Sequence, residues 1–333
     1  MEYPFQLSVL IPCYNVEYFL DVSLWCLEQQ WDDDKLMEIV FVNDGSTDGT
    51  LEKLQSFCRK HPNNTVLIDK SENGGVAQAR NDALKVARGK WITFFDPDDA
   101  LSAGAYQAMC NDYLDDNVDI LSFDTNIVLN TEILPLPHYK GNIEWEGDGK
   151  EFFKSYNTSV VWTFFYSHDL LNNLNVSFPD LSFLEGELFN MDVFINDGIR
   201  VRRVDCKPYY YNSRPSSLSS INRSECDSKM IDDIMAALEY MQQKKQVQND
   251  QQLVNSISSK QSDIARRLVP VFIRSNEIDK DFMKNIKQQL SQRDVYPYKG
   301  LNGGIKDAFY NLLFRFPGLL VLLRPVLKKF LKH

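Results

Sequence analysis

Histidine is scarce in this chain of 333 residues: His61, His138, His168 and His333 are the full set, and none lies near a motif. No Ser/His/Asp or Cys/His arrangement is recognisable, so nothing points to a covalent nucleophile, and all four histidines are expected to be structural or surface residues. The six cysteines, Cys13, Cys26, Cys58, Cys110, Cys206 and Cys226, include no C-x-x-C pair. That spacing argues against structural zinc and fits reduced thiols in a cytosolic protein. No basic stripe interrupts a net charge of -10, which excludes a general nucleic-acid binder while leaving room for a nucleotide at one local site. Neither G-x-x-x-x-G-K-[ST] nor G-x-G-x-x-G occurs, so the P-loop and dinucleotide readings lose weight. Met1-Glu2-Tyr3-Pro4 lacks a basic n-region, so no signal peptide is expected. The uncharged run from Phe316 to Leu323 falls far short of the roughly 20 residues of a membrane-spanning helix.

What is present is an ordinary soluble composition, 44% hydrophobic and 25% charged. Apolar runs at Leu7 to Ile11, Glu38 to Val42, Thr65 to Ile68, Trp91 to Phe95 and Asp119 to Phe123 alternate with segments of helical spacing. Such alternation is the signature of βαβ units and a mainly parallel sheet, an α/β fold flanked by helices. Residues 1–130 are expected to form a nucleotide-binding layer. Residues 131–220, with Pro135, Pro137, Gly141, Gly147, Gly149 and several aromatics, suit loops and short pieces on an acceptor side. Residues 221–304 read as a helical extension.

Three stretches carry chemistry. Trp91-Ile92-Thr93-Phe94-Phe95 runs into Asp96-Pro97-Asp98-Asp99. Carboxylates at the carboxyl end of a buried strand sit where open α/β sheets bind ligands, and like charges so close are relieved by a divalent cation shared with substrate phosphates. The alternative is a solvated acidic turn. Val42-Asn43-Asp44-Gly45-Ser46 ends a second strand and places Asp44 to accept hydrogen bonds from a base or from ribose hydroxyls, unless it serves the turn alone. Asn73-Gly74-Gly75-Val76 opens a helix with Arg80 one turn in, a start that favours anions and an arginine fork that suits phosphate.

In this order, and with Ser8 to Asn15 and Tyr209-Tyr210-Tyr211-Asn212-Ser213-Arg214-Pro215-Ser216-Ser217-Leu218-Ser219, these residues closely resemble glycosyltransferase family 2, inverting enzymes of GT-A fold. The resemblance spans about residues 5–220. It implies a Rossmann-like GT-A domain over 1–220 and a nucleotide-diphosphate sugar donor, UDP-linked or similar. Pro12, Tyr14, Asn15, Asp44, Asn73, Gly75, Arg80, Asn81, Asp96 and Asp98 would line the donor site. Asp98 and Asp99 would hold Mg²⁺ or Mn²⁺ on the diphosphate. The acceptor would be a glycan or lipid-linked sugar in surface polysaccharide synthesis.

The family's Glu-Asp pair, the source of its base, meets Phe183-Leu184-Glu185-Gly186-Glu187-Leu188-Phe189-Asn190 in this chain. Aligning Phe189-Asn190 puts Gly186 at the Asp. Glu185 is then the favoured base, Glu187 the substitute and Asp192 a third choice, and a catalytically impaired nucleotide- or glycan-binding module is the competing reading. A sugar-phosphate nucleotidyltransferase would need a glycine-rich loop after the first strand, which Cys13-Tyr14-Asn15-Val16 does not offer.

Residues 305–333 carry Lys306, Arg315, Arg324, Lys328, Lys329 and Lys332 against a single Asp307. Leu320, Leu323, Leu327 and Phe330 recur at helical spacing, and Phe309, Leu312, Leu313 and Phe316 start a similar stripe. A basic amphipathic tail suits the anionic cytoplasmic face of a membrane, while a terminal helix packed on the body is the alternative.

Overall fold

The computed structural model describes residues 3–30, 36–128, 141–213, 227–275, 278–297 and 305–330. Pro135, Pro137, His138, Arg214 to Ser219, Cys226, Lys332 and His333 lie outside these. The chain divides into two compact units, 1–214 and 215–333.

The first unit alternates as its apolar runs predict. It begins β1 (Phe5–Cys13), α1 (Glu17–Glu28), β2 (Met37–Asp44), α2 (Thr50–Lys60), β3 (Thr65–Lys70), α3 (Val76–Val86) and β4 (Gly89–Phe94). Then follow β5 (Ala100–Leu101), α4 (Ala105–Tyr113), β6 (Ile120–Ser122), β7 (Thr125–Val128), β8 (Ile143–Asp148) and α5 (Gly149–Ser155). The unit closes with β9 (Phe164–Ser167), α6 (His168–Leu174), α7 (Glu185–Phe194), β10 (Arg200–Val204) and β11 (Tyr209–Asn212).

Eight strands form the main sheet in the order β3-β2-β1-β4-β9-β6-β10-β8. The first four are parallel, β9 runs antiparallel between β4 and β6, and β8 is an antiparallel edge. A smaller sheet joins β5, β11 and β7. The chain leaves β1 towards β2 on one side and returns to β4 on the other. The carboxyl ends of β1, β2 and β4 therefore frame the crevice where doubly wound sheets take ligands.

Two strands depart from the expectation of loops between 131 and 180. β9 enters the middle of the sheet because Phe164, Phe165 and Tyr166 are buried on both faces. β8 is a mostly exposed strand whose Glu144 and Glu146 pair with Arg203 and Arg202 of β10 at 2.7 and 2.6 Å. Opposite charges across neighbouring strands supply the pairing that apolar alternation supplies elsewhere.

An aromatic cluster fixes the helix that follows this region. Phe94 at the tip of β4 meets Tyr166, Phe178 and Phe189 edge-on at 6.1, 5.1 and 5.9 Å, and Phe178 stacks on Phe189 at 4.1 Å. These contacts dock α7 and the 178 segment beside the end of β4.

The second unit is helical: α8 (Asp227–Gln246), α9 (Gln251–Arg266), α10 (Leu268–Arg274), α11 (Lys280–Gln292), α12 (Ile305–Arg315) and α13 (Pro317–Phe330). Asp250 caps α9 by accepting from the amides of Gln252 and Leu253, and Asp279 caps α11 in the same way. Met283, Ile286 and Leu290 form the buried stripe of α11.

Candidate functional site

β2 is buried along its whole length and delivers Asp44 to its carboxyl tip, where the side chain is 2% exposed. Its Oδ1 accepts from the Gly74 amide at 3.0 Å and its Oδ2 from the Gly75 amide at 2.8 Å, while Lys70 Nζ lies 2.5 Å from Oδ1. Asp44 thus clasps the glycine loop at the start of α3, a duty the sequence did not reveal. Asn73 Oδ1 also accepts from the Gly75 amide.

Gly45 completes this clasp at φ +68, where a Cβ would lie 2.7 Å from the Asn73 backbone nitrogen. Gly45→Ala is expected to destabilise the unit by about 2 kcal/mol or more, read as a lowered denaturation midpoint, because both the backbone conformation and the neighbouring loop are violated.

Pro12 is half-buried, and Tyr14 and Asn15 are exposed. Asn15 sits at φ 51; its Oδ1 accepts from the Thr47 amide at 2.8 Å and its own amide donates to Ser46 Oγ at 3.1 Å. The loop after β1 is therefore tied to the loop after β2. Gly75, at φ 87, leads into α3, which starts with no side-chain cap. An uncapped start of an 11-residue helix presents amide hydrogens and the positive end of the dipole to an anion.

The centre of the site is Arg80, on α3 and 5% exposed. Its Nη2 donates to Asp96 Oδ1 at 2.9 Å and its Nη1 to Glu185 Oε1 at 2.5 Å, with the guanidinium 5.5 Å from the Phe178 ring. One cation thus joins the acid at the end of β4 to the first residue of α7. Leu184, just before, is held at φ 71, an uncommon conformation for a branched residue and one concentrated at functional sites. Burial raises the Glu185 carboxyl above its ordinary value; Arg80 opposes the shift and the Asp96 charge adds to it.

Glu187 lies two residues further along α7 and is 7% exposed. Residues two apart on a helix point about 200° apart, so Glu185 and Glu187 do not share a face. Asp192 lies two turns further along the same helix. A Cβ on Gly186 would meet Val161 Cγ1 at 3.3 Å and nothing else closer than 3.9 Å. Asn81 spends both ends of its amide on Phe178, donating to its carbonyl at 2.9 Å and accepting from its amide at 2.8 Å. That side chain pins the 178 segment to α3.

The three aspartates divide. Asp96 and Asp98 are partly exposed, whereas Asp99 is 1% exposed. Asp99 Oδ2 accepts from the Tyr209 hydroxyl at 2.5 Å and Oδ1 from the Asn212 amide at 2.8 Å. Burial, with the Asp96 charge adding to it, pushes the Asp99 carboxyl up to about 8. Asp99 is therefore an anchor between β4 and β11, in contrast to the metal-ligand role expected of it.

Tyr209 is the residue that sequence reasoning left without a role. It stacks on Trp162 at 4.4 Å, and its hydroxyl also accepts from the Asp96 amide at 3.1 Å. Its run of tyrosines was the signal. Tyr209→Phe is expected to cost about 1–3 kcal/mol in chemical denaturation, since it strands a buried carboxyl and a buried amide together.

Among the described residues no group of three or more His, Cys, Asp or Glu side chains is arranged to hold a metal ion. A pair of partly exposed carboxylates still fits Mg²⁺ or Mn²⁺, which keep waters and take substrate phosphate oxygens beside one or two carboxylates. His168 Nδ1 pairs with the Gly89 carbonyl at 2.8 Å and His61 lies 3.3 Å from Glu28, so both serve packing.

The sequence profile described as Glycosyl transferase family 2 matches residues 8–170. Residues 8–170, just under half of the chain, are a glycosyl transferase family 2 domain. Over 221 residues it is 28% identical to the uncharacterized glycosyltransferase EpsJ of Bacillus subtilis (strain 168), covering 64% of this chain and 63% of EpsJ. It is 27% identical to the poly(ribitol-phosphate) β-N-acetylglucosaminyltransferase TarS of Staphylococcus aureus (strain MW2) over 63% of this chain and 36% of TarS. The matched stretch thus spans less than two thirds of these relatives' own length.

In three dimensions the chain resembles S. aureus TarS 1–349 in complex with UDP-GlcNAc, with a TM-score of 0.62, 20% identity and coverage of 96% of this chain and 89% of that one. It also resembles the mannosyltransferase PcManGT of Pyrobaculum calidifontis in complex with GDP-Man and Mn²⁺, at a TM-score of 0.54, 14% identity and coverage of 96% and 86%. The fold of the family 2 domain is GT-A.

Proposed function

We propose that this chain is a metal-dependent inverting glycosyltransferase that moves a sugar from a nucleotide-diphosphate donor, UDP-linked in the first instance, to a glycan or lipid-linked acceptor in surface polysaccharide synthesis. The observation that carries this reading is the Arg80 guanidinium held between Asp96 and Glu185. It joins the acid at the end of β4 to Glu185, the favoured base.

The loops after β1 and β2, tied through Asn15 and Ser46, border the place for the nucleoside. The uncapped start of α3 and Arg80 attract the diphosphate. Asp98 and Asp96 would hold Mg²⁺ or Mn²⁺, which supplies Lewis-acid neutralisation of the leaving diphosphate. Glu185 takes the proton of the acceptor hydroxyl as its oxygen bonds to the anomeric carbon. The bond from that carbon to the diphosphate breaks, the diphosphate leaves with the electron pair, and attack from the opposite face inverts configuration. The raised Glu185 carboxyl suits a base that must hold a proton briefly and return it to solvent.

The relatives support the donor class, since TarS was crystallised with UDP-GlcNAc and PcManGT with GDP-Man and Mn²⁺. TarS is named for a poly(ribitol-phosphate) acceptor, which supports a cell-surface polymer here. The basic, amphipathic α12 and α13 support a peripheral place on the cytoplasmic face of the membrane; among the described residues no helix is long and apolar enough to cross it.

The competing reading, a silent binding module, draws on Gly186. Slow release of free sugar from a UDP-sugar with Mn²⁺ separates the two, because an active site leaks sugar to water and a silent one does not. A titration screen of nucleotide sugars in the presence of Mn²⁺ tests the proposal; saturable binding supports it, and no binding to any of them contradicts it.

A further inference from the structure

Helices α12 and α13 have one packed face and one open face. Leu313, Phe314 and Leu320 are buried, and the buried Arg324 donates from Nη2 to the Ile278 carbonyl at 2.7 Å. Phe314 meets the rings of Phe272 and Tyr296 at 5.4 and 6.1 Å. Leu320, which the sequence placed on a membrane-facing stripe, is therefore used within the unit. The open face keeps Phe309, Leu312 and Phe316 of the stripe expected in α12, and on α13 it carries Val321, Leu322 and Val326 in place of the expected Leu320, all exposed. Six large apolar side chains exposed along two successive helices are more than scattered surface residues, and such patches mark interaction sites.

Next to Leu312 the surface opens into a cavity of about 480 Å³, lined by Lys287, Tyr296, Pro297, Asn311, Leu312 and Arg315. Two cations line it and, among the described residues, no carboxylate does. Lys287 Nζ lies 5.3 Å from the centre of the Tyr296 ring, whose hydroxyl donates to the Asn311 carbonyl at 3.2 Å, so the ring holds the ammonium at the cavity wall. The Arg315 guanidinium lies 5.6 Å from the Phe316 ring, at the seam between cavity and stripe.

We propose that this cavity binds the phosphate of an anionic phospholipid headgroup while the open stripe lies in the bilayer interface beside it. The proposal deepens the membrane reading above and rests on it. Charge complementarity selects the occupant. A guanidinium and an ammonium around one pocket match a phosphate, and the exposed Phe309, Leu312 and Phe316 continue from the pocket rim as acyl chains continue from a headgroup. A soluble protein partner with an acidic groove would leave the match between stripe and chains unused.

The test is co-sedimentation of the full chain with phosphatidylcholine vesicles, with and without phosphatidylglycerol. The wild type is expected to sediment with the anionic vesicles and stay in solution with the neutral ones. Lys287→Gln and Arg315→Gln should each weaken binding about fivefold, the usual effect of one cation at an anionic surface. Lys284→Gln removes a cation on the same helix that Asp281 already pairs at 2.9 Å, and should change binding less than twofold. Thermal unfolding checks that the variants fold, and Lys287→Arg, which keeps the charge, should retain binding. An equal loss from Lys284→Gln and Lys287→Gln, or full binding by the Lys287→Gln/Arg315→Gln double variant, overturns the headgroup site while leaving the membrane reading in place. A wild type that ignores both vesicles overturns the two together and leaves sugar transfer untouched.

Discussion

Glu185→Gln is expected to lower the rate of sugar transfer by about 10²–10⁴-fold while donor affinity stays within a few-fold of wild type. The substitution keeps the shape and can still accept a hydrogen bond from Arg80 Nη1, but it cannot take a proton from the acceptor hydroxyl. Steady-state kinetics against donor titration separates the two quantities. A matched fall in kcat and in donor affinity would move Glu185 from proton transfer to donor binding. The pH profile gives a second readout. Because burial raises the Glu185 carboxyl, the active, ionised form is expected to appear only above the pH at which an ordinary glutamate ionises. Transfer should therefore rise with pH through that ionisation, and the rising limb should vanish in Glu185→Gln. The same replacement at Glu187, on another face of α7, should lower activity through folding alone and leave the limb in place.

Asp98→Asn carries the second large effect. It removes one of two partly exposed carboxylates at the carboxyl end of β4, and with it the charge that would hold the cation against the diphosphate. Calorimetric titration with UDP and Mn²⁺ is expected to show an affinity at least 100-fold weaker than wild type, equivalent to about 2.7 kcal/mol. Titration with UDP alone should differ little between the two proteins, since the remaining contacts are made by the loops and by α3. Asp99→Asn should behave differently. Its side chain is buried against Tyr209 and Asn212, so the expected result is a change in stability with metal-dependent binding largely kept.

Much of the fold is legible in the sequence for a physical reason. β1, β2 and β4 are parallel strands covered on both faces, so they appear as continuous β-branched and aromatic runs. Their carboxyl ends follow directly, and with them Asp44 and Asp96 to Asp99. β8 and β9 escape because their signals are of another kind. β8 is exposed and pairs through Glu144 and Glu146 with arginines almost 60 residues later in the chain, and β9 is an aromatic run that joins the sheet in the opposite direction. The division of labour among the aspartates also depends on distant partners. Tyr209 lies 113 residues beyond Asp96, and no local pattern announces that its hydroxyl will satisfy that amide and the Asp99 carboxyl at once. Arg80 shows the same limit. Its place at the start of a glycine-led helix suggests phosphate, while its bridge to Glu185 spans 105 residues and becomes visible only when Phe94, Phe178 and Phe189 bring α7 to the end of β4. In the tail, helical spacing is visible but the choice of buried stripe is not, because it depends on what α10 and α11 offer.

The central claim is that the carboxyl end of β4, with Arg80 and the start of α3, is a nucleotide-sugar site. A crystal of the full chain soaked with UDP and Mn²⁺ tests it most directly. The expected result is a diphosphate at the start of α3, with the cation on Asp98 and Arg80 turned from Glu185 or Asp96 towards a phosphate oxygen. UDP seated elsewhere on the molecule, with the Asp96, Arg80 and Glu185 bridge undisturbed, would contradict it.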